Sequence, residues 1–215
     1  MKLQLYKELR LALHPTAPLF LLLSAMLLLP NYPYCVVFFY TSLAVFFICL
    51  SGRENQDIFY SLLLPISKTD IITARFLTVL LLEILQLLLA IPFAYLRQRL
   101  NPAPNLAGMD ANLALFGLAL FLLGCFNFVF FRLYARDVQK VGKAFACSSI
   151  VYALLLVLGE CLLHTVPLFR DQLDTPDPYA LPQKLVTLLL GLVAYLLLTG
   201  LAYRKAKRDF AALDL

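Results

Sequence analysis

Apolar stretches recur along this chain at lengths that suit a lipid bilayer. A spanning helix needs roughly 20 apolar residues, with a range of about 17–25. Six segments qualify or nearly do: residues 16–29, 34–50, 76–95, 113–131, 145–163 and 185–203. The first is short unless residues 11–14 extend it. Pro30-Asn31-Tyr32-Pro33 then predicts a tight turn, because two prolines flank a turn-forming Asn. Pro92 is expected to kink the third span, and Pro102 and Pro104 break the chain after it.

Two further elements read as lying on the membrane surface. In residues 2–13, KLQLYKELRLAL, Leu3, Leu5, Tyr6, Leu9 and Leu13 can share one helical face, with Lys2, Lys7, Glu8 and Arg10 on the other. That predicts an amphipathic interfacial helix, turned into the membrane at His14-Pro15. Residues 165–183 hold four prolines and a small apolar set, Val166, Leu168, Phe169, Leu173, Tyr179 and Leu181. They read as a cap dipping into the opposite leaflet, or equally as a plain loop.

The segment 53–75 is harder to account for. A simple connector needs only a few polar residues, yet this one mixes both charge signs and carries its own apolar stripe. Gln56, Asp57 and Tyr60 are expected to project polar groups, while Ile58, Phe59, Leu62 and Leu63 lie on the bilayer. Pro65 ends the first helix, expected over about residues 54–64. Ser67, Thr69 or Asp70 caps the next, and Arg75 falls where the backbone enters the headgroups. This is a docking element, and its bland alternative is an interfacial helix without a partner.

Composition narrows the solvent. Of 215 residues, 62% are hydrophobic and 14% charged, against about 25% charged in a soluble domain. A folded domain of this size could not hide that much apolar surface from water. The net charge of +5 therefore reports topology and anionic headgroups, not nucleic acid. Fourteen of the 18 Lys and Arg fall in the N-terminal segment, residues 53–75, residues 132–143 and the tail. Arg97, Arg99, Arg170 and Lys184 fall on the other side. The positive-inside rule then places both termini in the cytoplasm, and an even span count agrees. The basic N-terminus and the apolar run after it lack a small-x-small cleavage site, so the segment is read as mature sequence. The five cysteines form no CxxC pair and read as small apolar residues.

Little enzyme chemistry is offered. No GxxxxGK[ST], GxSxG or HExxH pattern occurs, and His14 and His164 are the only histidines. Glu83 and Gln86 lie one turn apart in the third span, about 10 Å inside it at 1.5 Å per residue. Ionisable groups there mark a pathway, a relay or a buried pair, and Glu83 is expected to face a subunit interface or a cavity, where it could bond a polar residue of another helix; Gln86, Asn127, Glu160 and His164 are read with it as interface or pathway groups. Asn127 in the fourth span can bond across helices. Glu160 and His164, spaced i, i+4, have metal-ligand spacing, but two ligands do not close a site, so no metal is assigned and a hydrogen bond between them is expected. Gly117 and Gly124 could admit a close helix, a weak signal without GxxxG spacing. An intramembrane glutamate-dependent protease using Glu83, or Glu160 with His164, would need these groups to converge. An accessory or immunity membrane protein is a further alternative.

Within the segment, Arg53-Glu54, Leu62 to Leu64, Pro65-Ile66-Ser67-Lys68, Asp70 and Arg75 resemble the permease subunits of type-2 ABC exporters. In that family the loop after the second span carries a charged cluster, a helix with Leu pairs, then Pro-[Val/Ile]-Ser-[Arg/Lys], an acidic residue and a closing base. Gln56-Asp57 stands where the family has Gly-Thr, and the version here is similar to a small-permease branch of Gram-positive bacteria. The resemblance implies an all-α fold of six spans, N-in and C-in, with an N-terminal interfacial helix and a coupling helix between spans two and three. It implies a multi-pass protein of a bacterial cytoplasmic membrane and a dimer with a second copy or a paralogue. The partner would be a cytoplasmic ATPase that binds ATP and Mg, with no cofactor on this chain. Arg53, Glu54, Asp57, Lys68, Asp70 and Arg75 would couple to that ATPase, supported by Glu8 and Arg10. The Leu- and Phe-rich spans suit an amphipathic peptide or lipid-like cargo.

Overall fold

The computed structural model describes residues 2–101 and 103–213, with the side chains of residues 2, 3, 11 and 12 outside that description. The break expected at Pro102, the placement of Lys2 and Leu3, and part of the 11–14 extension therefore lie outside the described residues. Among the described residues the chain is all α and contains no strand. Its elements are α1 (Lys2–Lys7, continuing as a π-helix over Glu8–Ala12), α2 (Ala17–Leu22, continuing as a 3-10 helix over Leu23–Leu28), α3 (Cys35–Glu54), α4 (Asp57–Leu62), α5 (Lys68–Leu100), α6 (Leu113–Tyr134), α7 (Val141–Thr165), α8 (Pro167–Gln172) and α9 (Leu181–Ala211).

Five of these, α3, α5, α6, α7 and α9, are long and apolar enough to cross a membrane. The first expected span differs. Bounded by Pro15, Pro18 and Pro30, Ala17–Leu28 forms a shorter apolar element. Six α-helical and six 3-10 residues rise only ~21 Å. Even so, the turn after it reaches the far end of α5. Asn31 accepts from the Leu106 N–H at 3.3 Å, and the Asn105 amide donates to Tyr32 O at 2.8 Å.

The boundaries in the polar segment also move. The second span extends as one helix to Glu54, and the third begins at Lys68, not near Phe76. Ser67 starts α5 by accepting from the Asp70 N–H at 3.1 Å, the cap that the sequence implies. Once started, the helix has no reason to stop at the headgroups, and it runs on through Pro92 to Leu100. Glu83 then lies ~22 Å from the helix start. The coupling helix shrinks to six residues, because Gln56 turns left-handed at φ 55 and the helix ends three residues before Pro65.

The core is aromatic and centred on α6, which packs against α9, α7 and α3. The α6–α9 contact is close enough for backbones to meet. A Cβ added to Gly191 would stand 2.0 Å from Gly117 O, and one added to Gly124 would stand 3.0 Å from Tyr195 Cα. Glycine at Gly117 and Gly191 is therefore a packing requirement, and the weak signal in the sequence marks the tightest crossing. The segment after α7 is structured: α8 forms, and Phe169 and Leu173 pack on the core while Leu168 and Tyr179 remain exposed.

Candidate functional site

At one end of the bundle, three elements meet on a single side chain. Arg75 leaves α5 two turns after its start and is 2% exposed. Its Nε donates to Glu8 Oε2 at 2.6 Å and its Nη2 to Glu8 Oε1 at 3.1 Å. The same Nη2 donates to Asp57 Oδ2 at 2.6 Å. Lys7 closes the group, 2.5 Å from Asp57 Oδ1 and donating to Ser61 Oγ at 2.5 Å. Two cations thus face two carboxylates, so the cluster is neutral. Forked guanidinium–carboxylate geometry is the arrangement best able to offset desolvation. The third nitrogen, Nη1, is buried without a partner and lies against Gly52, where an added Cβ would stand 2.8 Å from it. Gly52 is the space in α3 that the guanidinium fills.

This clamp corrects the sequence reading at two points. Asp57, expected to project, turns inward onto Arg75. Glu8, expected on the polar face of the interfacial helix, is 1% exposed. The cause is the same each time: a buried cation on α5 draws the nearest carboxylates of α1 and α4 inward.

The remaining candidates lie apart. Arg53 donates to Gln139 O at 3.3 Å and stands 3.7 Å from Glu54. Lys68 donates to Leu213 O, tying the start of α5 to the C-terminal segment. Asp70 lies in the first turn of α5, and Arg10 stacks 5.9 Å over the Tyr6 ring. Beside the clamp, α4 and the two residues after it turn Phe59, Tyr60, Leu63 and Leu64 outward, while Ile58 and Leu62, expected on the bilayer, pack on the core instead. A cleft of about 100 Å³ separates α4 from the α6–α7 turn, lined by Arg53, Gln56, Phe59 and Gln139 among others. Lys7, Gly52 and Ser61 were not among the candidates. Lys7 had a signal in its polar-face position, whereas nothing local distinguishes Gly52 or Ser61.

The intramembrane groups form separate sites. Glu83 Oε2 accepts from the Tyr195 hydroxyl at 2.6 Å and from the Asn127 amide at 3.0 Å. It therefore joins α5, α6 and α9 of this chain and is 1% exposed, so it is packed among these helices and not on a surface open to a second subunit; the bond to another helix forms, with Tyr195 as a partner the sequence did not single out. Gln86 reaches Val37 O at 3.4 Å. Glu160 accepts from the Met109 N–H at 3.2 Å, and His164 is exposed. The expected Glu160–His164 hydrogen bond is not among those of the described residues, because the loop after α5 supplies a backbone donor instead. Glu83 and Glu160 share no hydrogen-bond partner among the described residues, and no group of three or more His, Cys, Asp or Glu there could hold a metal.

Residues 5–205 match the family described as ABC-2 family transporter protein. No curated protein and no solved structure matches the chain.

Proposed function

The chain belongs to the ABC-2 transporter family, a multi-pass membrane permease whose family implies an ATPase partner, and from that premise we propose that it is the membrane subunit of an ATP-driven exporter. The clamp is the observation that carries the reading. ATPase movement arriving at α4 reaches α5 and α1 through Arg75, because Glu8 and Asp57 both hold that one guanidinium. The exposed Phe59, Tyr60, Leu63 and Leu64 offer the partner its apolar contact, and Arg53, Glu54, Lys68, Asp70 and Arg10 surround it with charge. Exposed apolar residues ringed by polar ones are the common anatomy of a protein interface. Glu8, Asp57 and Arg75 transmit and do not touch the partner.

The six-crossing arrangement with both termini in the cytoplasm is supported by the bonds that bring the turn after residues 17–28 to the Asn105 end. A dimer with a second copy or a paralogue, a bacterial cytoplasmic membrane and an amphipathic peptide or lipid-like cargo complete the reading.

Gentle detergent capture of the tagged chain from its native membrane, with mass spectrometry, tests it. A Walker-motif ATPase should accompany the chain and be lost from a Phe59→Asp, Leu63→Asp variant that still inserts. Charge reversal at Glu54 or Asp57 should separate ATP hydrolysis from export. Capture of the chain without any ATPase overturns the proposal.

A further inference from the structure

The geometry points to a binding groove for an anionic phospholipid at the end of α5 opposite the clamp, with the headgroup on Arg99 and one acyl chain running along the helix. A groove of about 690 Å³ opens there between α5, α6 and the start of α9. That is within the range that holds a small ligand. One wall is a stripe of α5, Leu88, Ile91 and Tyr95, all exposed and spaced to share a face. The other wall is Phe116 and Leu120 of α6 with Leu188 of α9. From Arg99 to Leu88 the helix rises ~16 Å, about half of the ~30 Å hydrocarbon core. The shaft therefore has the depth of one leaflet, and its polar rim lies at headgroup level.

Charge complementarity selects the headgroup. Most of the polar groups at the rim already have partners. Gln98 donates to Ala111 O at 2.6 Å, and Asn112 donates to Leu173 O and Thr175 O at 2.7 and 2.9 Å. Asp177 accepts from the Leu113 N–H at 3.2 Å and pairs with the buried Lys184 at 3.2 Å. Arg99 alone keeps its charge free: it makes no ion pair among the described residues and lies over the Tyr95 ring at 5.3 Å. A guanidinium with open donors recognises phosphate oxygens in pairs, and the apolar stripe beneath it excludes a purely polar anion. The site does not depend on the transport reading, because it needs only a bilayer and these walls.

The chain contains no Trp, so one introduced Trp reports a single place. The full-length protein carrying Ile91→Trp, reconstituted in bilayers, would be titrated with chain-brominated phosphatidylglycerol or phosphatidylcholine. Leu188→Trp on the facing wall is the second reporter, and Leu154→Trp, exposed on α7 outside the groove, is the control. Quenching in the groove should need several-fold less phosphatidylglycerol than phosphatidylcholine, with no such difference at position 154, and adding Arg99→Gln should abolish it. Equal quenching by both lipids at both groove reporters overturns the proposal, as does a preference that survives Arg99→Gln. Absence of quenching by either lipid also overturns it and assigns the groove to a second copy or another protein.

Discussion

Helix α5 buries two arginines, and they are held in opposite ways. Arg75 faces two carboxylates supplied by α1 and α4. Arg97, 4% exposed, faces neutral oxygen: its Nε donates to the Tyr34 hydroxyl at 2.7 Å and its Nη2 to Ala103 O at 3.1 Å. The two stand 22 residues apart on one helix, ~33 Å, close to the ~30 Å of a hydrocarbon core. One end of the membrane helix is thus fixed by opposite charges from two short elements of six and eleven residues. The other is fixed by neutral bonds to Tyr34 at the start of α3 and to a carbonyl of the loop after α5. On the proposed function, transmission belongs to the Arg75 end, where two separate elements share one guanidinium.

The largest effect should come from breaking the charge pairing on one side only. Glu8→Gln leaves a buried guanidinium short of a carboxylate, which costs about 3–5 kcal/mol. Thermal unfolding in detergent, followed by the reaction of the buried Cys35 and Cys49 with a thiol dye, should show it as a large drop in Tm. Replacing both partners sharpens the comparison. Arg75→Met with Glu8→Leu removes the charges together, keeps the Lys7–Asp57 pair, and should recover much of the lost stability, since apolar replacements of buried pairs are often neutral or better. Export should stay lost in that double variant if the clamp transmits. A double variant that is both stable and fully active would reduce Arg75 to a structural pair.

At the other end the same treatment should cost less. Arg97→Gln weakens two hydrogen bonds to neutral oxygens and breaks no ion pair, though it takes one cation from the neighbourhood of Asp110, so about 1.5–3 kcal/mol is expected. The loss should fall on the loop after α5 rather than on ATPase capture. Loss of the ATPase from this variant would erase the functional distinction between the two arginines.

Five of the six expected spans and the Ser67 cap were legible because periodicity, hydropathy and capping are local. The clamp was legible only as a list. The sequence offers Glu8, Asp57 and Arg75 as charges on three elements, but their convergence depends on tertiary placement, and Gly52 is meaningful only once Arg75 lies against it. The boundaries of α4 failed for a traceable reason. Gln56 adopts the left-handed conformation that favours glycine, and the following Asp57 is the residue that binds Arg75. The left-handed turn is therefore what aims Asp57 at the clamp. Gln56→Gly should relieve the strained turn and raise stability by at most about 1 kcal/mol, a small upward shift in Tm with the clamp intact.

The smallest expected effect belongs to the neutral end and is a pH dependence. Asp110 accepts from the Asn105 N–H at 2.8 Å, and its own N–H donates to Asp174 Oδ1 at 2.8 Å. Burial pushes both carboxyls above the usual carboxylate range. The hydrogen bonds and the cations around them, Arg97 and Lys184 at Asp110 and His164 and Lys184 at Asp174, offset the burial only in part. A raised acid binds its proton more tightly in the folded loop than in the open one. Stability is therefore gained as pH falls through the raised values, levels off near the ordinary value of about 4, and is lost again as pH rises. Amide exchange of residues 105–113, corrected for the intrinsic rate at each pH, should show protection increasing as pH falls from neutrality toward the ordinary carboxylate value of about 4. Asp110→Asn, which cannot ionise, should flatten the profile while leaving exchange around Arg75 unchanged. Protection that falls on acidification would mean that these carboxylates are held as anions, and the two ends of α5 would then be built on the same principle.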